Sequence, residues 1–244
     1  MARIETHTEL DLESPVLVEG LPGVGLVGKI ATDHIVNSFG MEHFASCHCA
    51  GLPRVATYEA ENHQIRPPVR IYADESRDLL ALQSDIPVSP DSAPSFASCV
   101  TGWFDDHDVT PICLSGLPAE KEDVPKMYGI GTGDAGELLD EHDVDVPDQN
   151  GLISGPTGAL LAEAGESGLD AVGLIVESNR QFPDPEAARI LLLRGIEPIA
   201  GISVETESLV EKAEEIADAK ENLAKQMQQA TQESSQAQPL GMYQ

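Results

Sequence analysis

Residues 15–36 read PVLVEGLPGVGLVGKIATDHIV, and this stretch decides the fold class. Pro15 to Glu19 is a short apolar run with β-branched residues, the composition of a buried strand. It ends on a cluster of glycines. Beyond them Val27, Ile30, Ala31, His34 and Ile35 recur at helical spacing up to Gly40, so the segment is read as strand, tight turn and helix.

Working outward, candidate strands fall at Phe44 to Cys49, Val55 to Glu59, Val69 to Ala73 and Leu79 to Leu82. Strands that follow one another without helices imply a partly antiparallel sheet. Pro90, Asp91 and Ser92 offer a helix start, with Phe96, Val100, Trp103 and Phe104 on one face as far as Asp108. Thr110 to Leu114 returns as a strand. Residues 116–133, rich in Gly and Pro, are expected to form an irregular surface excursion, with a short helix over Ala135 to Leu139 after it. Thr157 to Ala164 reads as helix and Ala171 to Val176 as the most apolar strand. Asp184 caps a helix that Pro185 opens and Leu193 closes. Strands alternating with helices in both halves of the chain predict a three-layer α/β/α sandwich with a mixed sheet over residues 1–204.

The chain has 244 residues, with 14 Lys+Arg against 42 Asp+Glu and a net charge of −28. Thinly spread basic residues argue against a phosphate backbone or an anionic membrane surface as partner. Apolar runs such as Ile190 to Leu193 are far too short to span a bilayer, and Met1 to Leu10 lacks the pattern of a secretory leader. The expectation is a soluble, cytoplasmic protein. Its acidity runs along the chain and fits a halophilic setting, where salt screens self-repulsion.

Four cysteines do not read as a disulfide framework. His43, Cys47, His48 and Cys49 invite a metal reading, but on a strand Cys47 and Cys49 share one face and His48 takes the other. No second Cys or His pair stands at zinc spacing, and Cys99 and Cys113 stand alone, so no metal is expected. No nucleophile elbow or H-E-x-x-H is present, and no catalytic residue is assigned. The Asp105, Asp106, His107, Asp108 group is read as a solvated helix end. Asp85 and Glu177, at strand ends, are conceivable site residues without a base or metal beside them.

The glycine segment satisfies two nucleotide patterns at once. Gly23, Gly25 and Gly28 give G-x-G-x-x-G, while Gly23 to Lys29 gives G-x-x-x-x-G-K, both between a strand and a helix. Each then departs from its pattern. Ile30 stands where a P-loop needs Ser or Thr, and the next strand runs into Ala50, Gly51 and Leu52 where a dinucleotide site needs an acid. A structural turn built on Gly20, Gly23, Gly25 and Gly28 is the favoured reading. A nucleotide- or nucleoside-binding enzyme using residues 20–29, with Lys29 at a phosphate, is the alternative.

From Glu205 the pattern changes. Leu209, Ala213, Ile216, Lys220, Leu223, Met227 and Ala230 are spaced alternately four and three apart, predicting an amphipathic helix over residues 205–230. Its stripe suits either its own domain or a partner helix, and Leu209, Ala213, Ile216, Leu223 and Met227 are the candidate oligomer contacts. Residues 231–244 have little apolar content and are expected to be flexible, yet they end in Met242, Tyr243 and Gln244.

The opening PVLVEG followed by LPGVGLVGKIATDHIV, together with GPTGALLAEAGESGLDAVGLIVES (155–178) and PDPEAARILL (183–192), resembles the proteasome assembly chaperone family, the second of the named assembly chaperone families, in its archaeal form. The resemblance covers about residues 14–225. It implies a fold of the nucleoside phosphorylase type and an ATP-independent, non-catalytic assembly factor without a cofactor. Homo-oligomers are also implied. The Met242, Tyr243, Gln244 ending is similar to the hydrophobic–Tyr–any-residue termini of proteasome activators and archaeal assembly chaperones. The implied partner is the ring of proteasome α-subunits, or the 20S core particle that contains it.

Overall fold

In the computed structural model, residues 3–58, 60, 63–119 and 124–213 are described. The strands are β1 (Arg3–Thr6), β2 (Val16–Gly20), β3 (Glu42–His48), β4 (Thr57–Tyr58), β5 (Ile65–Arg66), β6 (Val69–Asp74), β7 (Leu79–Ser84), β8 (Thr110–Pro118), β9 (Met127–Thr132) and β10 (Ala171–Ser178). The helices are α1 (Val27–Phe39), α2 (Ala93–Asp106), α3 (Ala135–Glu141), α4 (Gly155–Ser167), α5 (Pro185–Leu191) and α6 (Glu197–Ala200), the last two joined by a wide π-type turn over Leu192–Ile196.

Eight strands form one sheet in the order β1-β3-β6-β7-β2-β8-β10-β9, and β4 pairs β5 apart from it. The centre β7-β2-β8-β10 is parallel; β6, β3 and β1 on one flank and β9 on the other are antiparallel additions. Parallel strands buried on both faces read as near-continuous apolar runs. Side chains then alternate between layers. Val18 and Ile112 join α1 and α5 through Ala31, Ile35, Ala188 and Leu191, while Leu17 and Leu80 join α2 and α4 through Phe96, Val100 and Leu160. The mixed-sheet α/β architecture is thus the expected one.

Local signals account for the elements. Asp184 caps α5, its side chain accepting from the Ala187 N–H at 3.1 Å, and Gly168 closes α4 at φ 81°. Two expectations need correction. Residues 116–133 are not simply an irregular excursion, since β8 continues to Pro118 and β9 pairs with β10. The glycines of β9 reflect packing: a Cβ at Gly129 would lie 2.6 Å from Leu139, and one at Gly131 2.9 Å from Ala135, so α3 lies directly on the strand. Of the strand expected over Val55 to Glu59, Thr57–Tyr58 forms and Val55 and Ala56 stay outside it, while Glu59 lies outside the described residues.

The cysteine reading is corrected too. Cys99 does not stand alone: Cys49 and Cys99 form a disulfide that ties the end of β3 to α2, while Cys47 and Cys113 are buried free thiols. Residues 207–213 are helical, and Leu209 is buried against the α1–α5 core. Ala213 is half-buried. Ile216, Leu223 and Met227, with Met242, Tyr243 and Gln244, lie outside the described residues.

Candidate functional site

The glycine segment forms the turn between β2 and α1 at the carboxyl end of the parallel strands, where open α/β sheets bind ligands. Gly25 has φ 64°, and a Cβ there would fall 1.9 Å from Ser178 Oγ. Gly20 faces Thr32 so closely that a Cβ would lie 2.5 Å from the Thr32 Cβ, and Gly28 packs on Leu114. A Cβ at Gly23, which opens both nucleotide patterns, would meet nothing within 4 Å.

Protein groups fill the crown of the turn. The Gly25 carbonyl accepts the Asp184 N–H at 2.8 Å, and Gly116 is so close to Val24 that a Cβ would come within 2.4 Å of its carbonyl oxygen. Asp184 also accepts from the Asn179 N–H at 2.8 Å and thus locks β10, α5 and the turn together.

Lys29 is paired within the protein. Its Nζ lies 2.9 Å from Asp33, one helical turn on, and 3.7 Å from Asp85 at the end of β7. Asp85 in turn holds Arg70 at 2.6 Å, and Gln83 donates to Asp33 at 2.8 Å. A phosphate at the turn would have to draw Lys29 from two carboxylates. Of the other strand-end acids, Glu177 accepts the Lys126 N–H at 3.0 Å. Asp105 and Asp106 are exposed at the end of α2, as read from sequence.

Glu19 was overlooked by the sequence reading. It is fully buried beneath the turn and accepts from the Leu114 N–H at 2.9 Å, the Leu21 N–H at 3.1 Å and the Thr157 hydroxyl at 3.2 Å. Burial pushes its carboxyl up to about 7 from an ordinary 4.5, against the pull of those donors. The signal was present: an acid inside an apolar strand next to a glycine turn. Glu19 binds β2, β8 and the first turn of α4 into one unit.

The His43–Cys49 group has other uses than a metal. Cys49 is in the disulfide, burial pushes the Cys47 thiol up to about 12, and His48 is exposed on the opposite strand face. Among the described residues no three His, Cys, Asp or Glu side chains converge as metal ligands, and no helix is long and apolar enough to cross a membrane.

The geometry agrees with known proteins. An uncharacterized protein of Methanocaldococcus jannaschii is 29% identical over 220 residues, covering 89% of each chain. The crystal structure of Pyrococcus furiosus PbaA, an archaeal homolog of proteasome-assembly chaperone, matches at TM-score 0.78 and 25% identity over 95% of this chain and 100% of that one. PbaB of the same organism, an archaeal proteasome activator, has the same fold at TM-score 0.79 and 22% identity, covering 91% and 98%. The PAC2 family model matches residues 17–224. With that match spanning nearly the whole chain, the protein belongs to the PAC2 family.

Proposed function

We propose that this protein is an ATP-independent proteasome assembly chaperone or proteasome-binding factor of the cytoplasm, acting by docking and without turnover. The observation that carries the reading is the family match over residues 17–224, supported by a fold shared end to end with PbaA, itself described as a homolog of proteasome-assembly chaperone. The paired Lys29 and the filled crown of the glycine turn favour it over the nucleotide reading.

The docking element is the Met242, Tyr243, Gln244 terminus, which seats in pockets between neighbouring α-subunits. The Gln244 carboxylate pairs with a pocket cation, the Tyr243 ring is a rigid anchor with a hydroxyl to bond, and Met242 fills an apolar gap. A single three-residue terminus binds weakly, so the protein acts as a homo-oligomer that presents several termini to one ring. Native mass spectrometry of the protein mixed with α-subunits in high salt tests this. Complexes are expected with the intact chain and not with Tyr243→Ala; equal complexes with both would remove the terminus from the mechanism.

A further inference from the structure

His43 is left over from the group it forms in sequence with Cys47, His48 and Cys49, and the fold gives it a different neighbour. β1 pairs antiparallel with β3, Glu5 opposite Ser46 and Thr6 opposite Ala45, so that His7, which follows β1, comes beside His43. The His7 backbone N–H donates to the Phe44 carbonyl at 2.8 Å and fixes this approach. The two imidazole rings stand 4.9 Å apart, centre to centre, at an angle of 63°.

Both rings bring the same atom to one point. Ser46 Oγ lies 2.6 Å from His7 Nε2 and 3.3 Å from His43 Nε2, and the Ala45 carbonyl is 3.2 Å from the latter. The single Ser46 hydroxyl proton can bond only one of the two nitrogens. Two imidazoles bonded through Nε2 to one tetrahedral ion, at about 2.0–2.1 Å each, have ring centres roughly 5 Å apart, which is the spacing found here. Burial and the neighbouring His7 hold the His43 imidazole below its ordinary range, in the neutral form that binds metal. Arg66 and Arg70 also lie near it, but Asp85 meets the Arg70 charge at 2.6 Å and Glu5 stands opposite Ser46 on β1.

We propose that His7 and His43 form a two-histidine site for a divalent transition metal of the zinc type, with Ser46 Oγ as a weak third contact and water completing the shell. Imidazole suits zinc, copper and nickel, and Zn²⁺ accepts four-coordination with water in the positions that protein leaves open. His7 is exposed, so the ion enters and leaves through solvent, and the −28 charge of the chain draws cations to its surface. The consequence is mechanical. β1 is a four-residue strand at the border of the sheet, paired on one side only, and an ion shared by His7 and His43 pins it to β3. The site lies on the sheet flank away from the glycine turn, and the inference is independent of the docking reading.

The test is calorimetric titration of the chelator-washed full chain with Zn²⁺ alone. One ion per chain is expected, with His7→Asn and His43→Gln each weakening binding about tenfold or more, and His48→Asn, on the same strand but paired with Glu5, leaving it unchanged. Zinc at a hundred times its Kd should raise the unfolding midpoint of the parent protein by roughly 5 °C or more, and that of neither His7→Asn nor His43→Gln. Hydrogen exchange of the parent protein needs no variant: saturating zinc should slow the amides of β1 and leave those of β10 unchanged. Absence of saturable binding, equal affinity in the parent and both variants, binding lost through His48→Asn, or β1 exchange unaltered by saturating zinc would each overturn the proposal.

Discussion

The Glu19 carboxylate accepts the Leu114 N–H at 2.9 Å across 95 positions of sequence, joining two neighbouring parallel strands from inside the protein. A backbone N–H already lies where this acid is buried, and the acid is therefore bonded although desolvation opposes its charge.

The consequence is a pH-dependent stability. With its folded pKa raised to about 7 from 4.5, Glu19 favours the protonated fold. Its stabilising contribution is fully present below about pH 4.5 and is lost as pH rises through 7, a change of about 3 kcal/mol. Other carboxylates titrate as well, so the comparison is with Glu19→Gln. Urea unfolding at pH 5 and pH 8 should show a larger loss of stability with rising pH in the parent protein than in the variant. Equal pH slopes would contradict this.

The glycines divide by role. Gly25→Ala places a Cβ at positive φ and against Ser178, and should cost about 3 kcal/mol. Gly23→Ala has open space and extended backbone at φ −142°, and should change stability by less than about 0.5 kcal/mol. Thermal unfolding of both variants checks the contrast. A ligand cradle would instead make Gly23 matter in the presence of nucleotide.

Nucleotides bear on Lys29 directly. Because Asp33 and Asp85 neutralise it, thermal shift with adenine and guanine nucleotides, with and without magnesium, should show no saturable stabilisation. A saturable shift abolished by Lys29→Ala would revive the enzyme reading.

The Cys49–Cys99 bond closes a loop of 50 residues, for which chain entropy gives about 4 kcal/mol. Under oxidising conditions Cys99→Ser should lower the urea midpoint, and thiol titration of the unfolded parent protein should find Cys47 and Cys113 alone reactive. Four reactive thiols would contradict the pairing.

What could be read in advance follows from the range of the interactions. The β2–α1 unit, the Asp184 cap of α5 and the Phe96–Val100 face of α2 rest on local periodicity and capping, and they stand where the sequence places them. β9 was hidden because its glycines, which normally signal a loop, serve the close approach of α3. The disulfide and the Glu19 network join residues 50 and 95 positions apart, and spacing carries no mark of such pairings. At the glycine turn, sequence showed two incomplete phosphate patterns; the ion pairs of Lys29 that oppose them come from α1 and the end of β7.

The most direct measurement is the affinity of the intact protein for assembled proteasome α-rings in high salt, compared with Tyr243→Ala and with a chain extended by a few residues beyond Gln244. Binding by the intact chain that is lost in both variants is the predicted result, since one removes the aromatic anchor and the other the free carboxylate. Undiminished binding by both variants, or no binding by the folded intact chain, would contradict the account.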